Sequence, residues 1–501
     1  MRSPILFAFV LSLALPCSAQ DSVNSQPAQV VLEWSLEDVM ELAVSNNIGL
    51  ELQKIDTEIA RYDFLGSWGA FDAMFDASLA HNDRQFEGSS FLSGGSLLKT
   101  KTTSLNLDFA QPMTTGGSFA AHFDTTFEDT NSMFSNFPES YSDNVSVSFT
   151  QPLRRGAWRE YATSNQRESE IAFQKQMEAQ RGARQQLFFD VQNTYWDLVA
   201  AMEQREVAVG ALGLALEQHQ RNIDRLEAGV GTAVEVLQAE TDVAQRREAL
   251  LALEAEVLRA MDNLKVFLFS GQEEELWDHE IRPTTPLPET ISNERSAYPD
   301  WMNVLLVSLE RRSDLRQLRL DVDSARVRHK RSVSDRLSGV DLALTASSSG
   351  FDRGSPDALR DASSFEFPSL SATLTYNMPI GNRSASYAEQ AARSRVRSAL
   401  LVYDQTENIV VSEVRDAVRQ VRYQAAAVSA STATLGLAQR QLKAEQDRYE
   451  VDLSTNYQVI EFQQALVEAE SNERQARVNF VKALVALQNV QGTLGEEDTS
   501  E

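Results

Sequence analysis

Six short stretches of this chain are apolar at every second position. Leu105, Leu107 and Phe109 alternate with Ser104, Asn106 and Asp108, and Phe119, Ala121, Phe123 and Phe127 alternate with Ser118, His122, Asp124 and Thr126. Val145, Val147 and Phe149 repeat the pattern, as do Phe75-Ala77-Leu79, Val340-Leu342-Leu344 and Leu370-Ala372-Leu374-Tyr376 in their own windows. A period of two belongs to a strand with one apolar and one wet face. The spacing predicts strands at about 73–81, 103–111, 118–127 and 144–150, and a further pair at about 340–346 and 370–378. The connectors differ in kind. Pro112 to Gly117 is tight, whereas Arg84 to Lys99 and Asp129 to Asp143 are long and rich in Gly, Ser and Asn. Long loops on one side and short turns on the other suit an outer-membrane barrel. A soluble sheet with one wet face shares the alternation, so the rest of the chain has to weigh in.

That weight comes from helices. From about Glu160 to Ala228 there is no proline, and apolar residues recur at Leu187, Val191, Tyr195, Leu198 and Met202. At 1.5 Å per residue this is roughly 100 Å of helix, far more than a compact domain uses. Past Gly229-Val230-Gly231 a seven-residue repeat sets in, with Leu250, Val257 and Leu264 on one seam and Leu253, Ala260 and Phe267 on the other, as coiled-coil packing requires. Its counterpart carries Ala469, Ala476 and Ala483 at the same interval. Two long antiparallel hairpins follow, with tips near Val230 and Leu453. Strands that interrupt such helices favour the membrane reading. A lone set of six strands leaves unpaired edges, which lipid does not tolerate. Copies must then share one barrel, and three would make about eighteen strands around an aqueous lumen.

The chain is also written twice. Asn46 to Tyr62 lies over Arg311 to Val327 without a gap, matching Leu50 with Leu315, Asp56 with Asp321, Ala60 with Ala325 and Arg61 with Arg326. RLEAGVGTAVEVL from Arg225 lies over RYEVDLSTNYQVI from Arg448. Internal repetition decides the domain layout. A first repeat spans 35–281 and a second 301–495, joined by the Pro-rich linker 282–300, with an N-terminal extension at 20–34 and an acidic tail at 496–501.

Composition narrows the function. The chain has 501 residues and a net charge of −26, which argues against a nucleic-acid partner, because phosphate binding needs clustered Lys and Arg. Residues 1–19 read as a signal peptide: Arg2, then an apolar run from Ile5 to Leu15, then Cys17-Ser18-Ala19 before the cut at Gln20. Cys17 is the only cysteine, and Ala14-Leu15-Pro16 before it fit poorly a signal for acylation. The mature chain therefore forms no disulfide. The five histidines, His81, His122, His219, His279 and His329, show no metal-ligand spacing. His81 and His122 are expected to be wet or lumen-facing. No cofactor motif and no catalytic constellation emerges, and the expected protein is not an enzyme.

At this point the chain resembles the outer-membrane efflux proteins of the TolC type. SLEDVMELAVSNNIGL (Ser35 to Leu50), the strand-to-helix joint FTQPLRRG (Phe149 to Gly156), its counterpart YNMPIGN (Tyr376 to Asn382) and both hairpin tips carry the likeness. The resemblance implies an α+β membrane protein: a homotrimer whose outer-membrane β-barrel continues into a long periplasmic α-helical barrel, with two internal repeats per protomer. It implies a passive exit duct in outer-membrane lipid, partnered by a periplasmic adaptor (membrane fusion) protein and an inner-membrane pump. The usual family protomer gives four strands, so the pair at Thr103 to Gln111 and Ser118 to Phe127 is extra. Either the barrel is wider, or the pair is an excursion from a twelve-stranded one.

The resemblance also places a gate at the tips. Tyr449 matches a lock tyrosine, Glu461 an acidic pore position and Glu235 an acidic lock position. Ser454 and Gln458 stand where a well-known member has charged residues, so hydrogen bonds from Tyr449, Ser454 or Gln458, weaker than a salt bridge, are expected to hold the closed state. Gly229, Val230, Gly231 and Thr232, with Asp452, Leu453, Ser454 and Thr455, form the expected adaptor-docking surface. The alternative of another class is a periplasmic coiled-coil adaptor or scaffold.

Overall fold

The computed structural model describes residues 31–87, 97–133, 135–269, 277–288 and 298–495. The signal peptide with Cys17, most of the N-terminal extension, residues 289–297 of the linker and the acidic tail lie outside the described residues.

The first repeat opens with β1 (Val31–Trp34), α1 (Leu36–Asn46) and α2 (Ile48–Ser67). Ser35 starts α1 because its side chain accepts the Asp38 amide while Asp38 accepts the Ser35 amide, a reciprocal cap. Four strands follow: β2 (Met74–Glu87), β3 (Leu97–Pro112), β4 (Ser118–Thr130) and β5 (Glu139–Pro152). The chain then runs through α3 (Arg159–Ala162) and the 64-residue α4 (Ser164–Glu227), and returns as α5 (Ala233–Leu268) and β6 (Glu280–Pro283). The second repeat comprises α6 (Trp301–Arg311), α7 (Ser313–Asp335), β7 (Gly339–Asp352), α8 (Ser355–Ser364), β8 (Pro368–Asn377), the 68-residue α9 (Arg383–Glu450) and α10 (Asn456–Gln491). Among the described residues no helix is long and apolar enough to cross a membrane.

All six expected strands form one antiparallel sheet in the order β2-β3-β4-β5-β7-β8. The extra pair, β3 and β4, lies inside this sheet, between β2 and β5. The register lines up Phe75, Phe109, Ala121, Val147, Ala346 and Leu370 across the full width. One residue along, Asp76, Asp108, His122, Ser146, Ser347 and Ser369 form the matching polar row. One continuous face is therefore apolar and the other polar. His122 belongs to the polar face, where Asp108 Oδ1 lies 2.6 Å and Asp124 Oδ1 3.2 Å from its ring nitrogens. His81 corrects the expectation. It shares the parity of Phe75 and Leu79, on the apolar side, and is satisfied by Thr103 Oγ1 at 2.9 Å. Strands β2 and β8 are the two edges, and every residue of both is exposed.

Three features depart from the sequence reading. Much of the two long connectors is strand: β2 runs on to Glu87 and β3 starts at Leu97, and β4 ends at Thr130 before β5 resumes at Glu139. Backbone pairing continues past the apolar band because the ladder itself does not need apolar side chains. The parallel pair β1–β6 was not expected, since four-residue strands carry too little alternation to be seen. Its location puts part of the extension and of the linker in the core, where Tyr195 Oη donates to Trp34 O (3.3 Å) and Thr285 Oγ1 (3.0 Å). Helix α8 was also missed. Its Ala358 and Ala362, both fully buried, lie against Gly350, where a Cβ would come 2.0 Å from the Ala358 carbonyl oxygen.

The helical core follows the heptads. Val257, Ala260 and Leu264 are buried, as are Ala469, Ala476 and Ala483. Small side chains let helices approach closely, and dispersion contacts accumulate there. At the α6–α7 corner, Arg312 bridges Asp314 (2.8 Å) and Glu413 of α9 (2.5 Å). Burial pushes the Asp314 carboxyl up, but the Arg312 hydrogen bond and charge outweigh it and hold it below the ordinary value. A lowered carboxylate stabilises the fold fully above the unfolded value of about 4, and the contribution disappears as the pH falls through the lowered native value. Asp314→Asn is thus expected to lower the melting temperature at pH 7, with the difference from the parent vanishing near pH 2. A difference that stays constant with pH would refute the coupling.

Candidate functional site

Both hairpins end in the same local chemistry. After α4 the chain turns at Gly229, whose φ of +74° is open to glycine without strain, while the Val230 and Gly231 amides donate to Arg225 O at 3.0 and 2.9 Å. Thr232 then caps α5: it accepts the Glu235 amide (3.3 Å), and Glu235 Oε2 accepts the Thr232 amide (2.8 Å). In the second hairpin Asp452 takes the place of Gly229, at φ +60°, Leu453 donates to Arg448 O at 2.9 Å, and Thr455 caps α10. A non-glycine residue there is strained unless something holds it.

Arg225 is what holds it. Its guanidinium reaches from the first hairpin to Asp452 Oδ1 at 2.5 Å and lies 4.8 Å over the Tyr449 ring. A charge pair therefore joins the two tips, where the sequence reading expected hydrogen bonds alone. Behind it is a buried polar cluster. Tyr449 Oη donates to Asn222 Oδ1 (3.1 Å), and Gln218 Nε2 donates to Asn222 Oδ1 (3.1 Å) and to Asn456 Oδ1 (3.0 Å). Asn222 Nδ2 donates in turn to Asn456 Oδ1 (2.9 Å) and Glu235 O (3.1 Å). Four helices, α4, α5, α9 and α10, are thus tied together one turn above the tips. Burial pushes the Tyr449 hydroxyl above its usual range, and the charges of Glu235 and Asp452 add to this, so it remains a donor.

The expected gate residues divide accordingly. Tyr449 spans the hairpins. Ser454 stays within its own hairpin, donating to Glu445 and to Gln458 Oε1 (2.9 Å). Glu235 commits its side chain to its own helix cap, and Glu461 is exposed on the surface of α10. Val230 and Leu453 present apolar side chains at the extreme ends, 65 % and 68 % exposed. Among the described residues no group of His, Cys, Asp and Glu is placed to hold a metal ion.

Sequence reasoning missed Arg225, Gln218, Asn222 and Asn456. A signal for Arg225 existed, since it stands over Arg448 in the repeat. The three amides had a weaker one: polar residues recurring on the buried side of helices that are otherwise apolar there.

The arrangement, a sheet with one apolar face above paired hairpins, meets its relatives in the family model described as outer membrane efflux protein, which matches residues 109–268 and 305–493. The chain belongs to that family. No curated protein sequence matches it. The structure is similar to the outer-membrane channel OprN, at 15 % identity and a TM-score of 0.67, with 95 % of this chain and 96 % of that chain covered. It is similar to CmeC of Campylobacter jejuni (14 %, TM-score 0.63, 98 % and 96 % covered) and to the open state of MtrE of Neisseria gonorrhoeae (14 %, TM-score 0.61, 96 % and 98 % covered). At such identities the likeness is one of fold. An outer membrane efflux protein is a passive channel with a periplasmic extension, not an enzyme, and this sets aside the alternative of a periplasmic coiled-coil adaptor or scaffold.

Proposed function

We propose that three copies of this efflux protein close one eighteen-stranded barrel in the outer membrane and act as the exit duct of a multicomponent efflux or secretion system, gated at the periplasmic hairpin tips. The observation that carries this is the six-stranded sheet with one unbroken apolar face and two exposed edges, β2 and β8. In lipid each edge must find a partner, and β8 of one copy pairing with β2 of the next satisfies both.

The gate is the Arg225–Asp452 pair with the Tyr449–Asn222 cluster behind it. Opening separates the two hairpins when a partner binds the splayed state more tightly than the closed one. That partner is a periplasmic adaptor coupled to an inner-membrane pump, seated on Gly229, Val230, Gly231 and Thr232 and on Asp452, Leu453, Ser454 and Thr455. The exposed Val230 and Leu453 side chains support this surface, because they supply apolar area at an otherwise polar end.

Three copies each of Glu461 and Glu235 at the closed end set carboxylates around a narrow axis, which attracts cations and repels anions. In a planar bilayer under a potassium chloride gradient the reversal potential is expected on the cation side, moving toward zero in Glu461→Gln. Chloride preference in the parent protein would overturn the acidic pore.

A further inference from the structure

The periplasmic ends of the strands stand over a concentration of positive charge. Although the chain carries a net charge of −26, residues 154–167 hold four arginines against the single acid Glu160, and residues 326–336 hold five basic residues against the single acid Asp335. The first stretch joins β5 to α4 and the second ends α7 just before β7, so both lie where the sheet gives way to helices. Folding brings the two together. Gly156 donates to Ser334 Oγ (3.3 Å), Tyr161 Oη to Asp335 Oδ1 (2.7 Å) and Arg331 to Asn165 Oδ1 (2.6 Å). Beside these ties is a cavity of about 340 Å³ lined by Arg159, Glu160, Thr163, Arg167, Val327 and Lys330. Its three cations are unevenly matched. Arg167 pairs with Glu170 (2.6 Å) and Lys330, weakly because both partners are exposed, with Glu160 (3.5 Å), whereas the Arg159 side chain has no ion-pair partner among the described residues.

The cavity opens away from the duct. Arg167, Gln185 and Gln192 follow one another on α4 at intervals of 18 and 7 residues, close to whole numbers of helical turns, and so share a face. Gln185 Nε2 donates to Gly492 O (2.6 Å) and Gln192 Nε2 reaches Met40 Sδ (3.2 Å). That face therefore carries α1 and the C-terminal segment, a layer that inside a duct would block it.

Depth and an aromatic marker fit a headgroup layer. Lys330 precedes the end of α7 at Asp335 by five residues, about 8 Å of helix, and the polar layer of one leaflet is roughly 5–8 Å deep. The lysine stem spans the remainder with its ammonium among phosphates. Trp158, next to Arg159, is 75 % exposed, yet its backbone, at φ +76° and ψ 155°, occupies a region kept almost wholly to glycine. The Trp158 amide donating to Thr115 O, and the Tyr161 and Ala162 amides donating to Trp158 O, each at 3.2 Å, hold it there. A tryptophan kept in that conformation with its ring unburied serves no packing purpose, and its place is the membrane interface.

The geometry points to a binding site for the phosphate of an anionic phospholipid in the periplasmic leaflet of the outer membrane, held by Arg159, Arg167 and Lys330 with the acyl chains rising beside Trp158 and Leu153. Guanidinium groups take a phosphate through paired, charge-assisted hydrogen bonds. A zwitterionic lipid brings the same phosphate together with an ammonium that these cations repel, so the anionic lipid is preferred. The site rests on the sheet lying in the outer membrane and not on how many copies close the barrel.

Native mass spectrometry of the full mature protein, with dioleoylphosphatidylglycerol or dioleoylphosphatidylcholine added to the detergent, provides the test. The parent is expected to retain phosphatidylglycerol roughly tenfold better than the triple variant Arg159→Gln, Arg167→Gln, Lys330→Gln, and the two to hold phosphatidylcholine alike. Removing three exposed cations elsewhere, by Arg259→Gln, Arg419→Gln and Lys443→Gln, alters the net charge equally and is expected to change neither. Only assembled protein is counted, and Arg159→Gln alone, which breaks no ion pair, is expected to show part of the loss even if the triple variant fails to assemble. Equal phosphatidylglycerol retention in parent and variants, or a loss matched by the remote triple, overturns the site. Full displacement of the lipid by inorganic phosphate makes a soluble phosphate the ligand and overturns the lipid. A monomeric parent that still discriminates overturns the shared barrel and leaves this site standing, whereas a trimer that does not discriminate overturns this site alone.

Discussion

Leu107→Arg is expected to reduce the outer-membrane trimer at least tenfold, while Asn106→Arg, one position away, leaves it near the parent amount. Leu107 lies opposite Ala77 on β2 and Phe123 on β4, in the middle of the apolar face. An arginine at the bilayer midplane costs about 2–4 kcal/mol per site, and a trimer carries three such sites at once. Asn106 faces the other way, where it donates to Ser78 Oγ (3.2 Å) and stands opposite Asp124. An arginine there meets water and a carboxylate. Quantifying the heat-modifiable band in outer-membrane fractions checks both variants together. Equal amounts, or the reverse order, would mean that the apolar face does not meet lipid.

The second large effect is expected at the gate, and it falls on an amide. Asn222→Leu removes the acceptor of Tyr449 and Gln218 and a donor to Asn456 and Glu235 O. Each buried group left unpaired costs about 1–3 kcal/mol, and several are orphaned together. The Arg225–Asp452 pair is shorter but Asp452 is 73 % exposed at its side chain, and an exposed ion pair is worth only about 0–1 kcal/mol. The resting conductance of Asn222→Leu is therefore expected to exceed that of Arg225→Gln, and only the Arg225→Gln increment should shrink in high salt, where the parent pair is already screened. Single-channel recording at low and high potassium chloride measures this. A larger leak in Arg225→Gln would make the ion pair, not the amide cluster, the principal lock.

Strand positions and hairpin tips were legible in the sequence because each rests on a short-range rule. Leu105-Leu107-Phe109 declares a strand by itself, and Gly229-Val230-Gly231 declares a turn by itself. The family membership was legible for a related reason, since the order of these local signals occurs twice. Other features had no local voice. Helix α8 depends on two alanines and a glycine that meet only when β7 is in place. His81 looked wet by residue type, yet register put it on the apolar side.

By itself the sequence determined the periods: alternation of two in six strands, long helices with a heptad in their return arms, and a repeat that writes the motif twice. These follow from how one residue's side chain is directed relative to the next, which needs no distant contact. Tertiary structure alone decided the partnerships. Arg225 meets Asp452 and Asn222 meets Asn456 across more than two hundred residues of chain, and β3 and β4 belong inside the sheet because their neighbours on both sides offer matching hydrogen-bond edges. Such pairings are chosen by which surfaces the folded chain brings together, and no window of sequence contains both members.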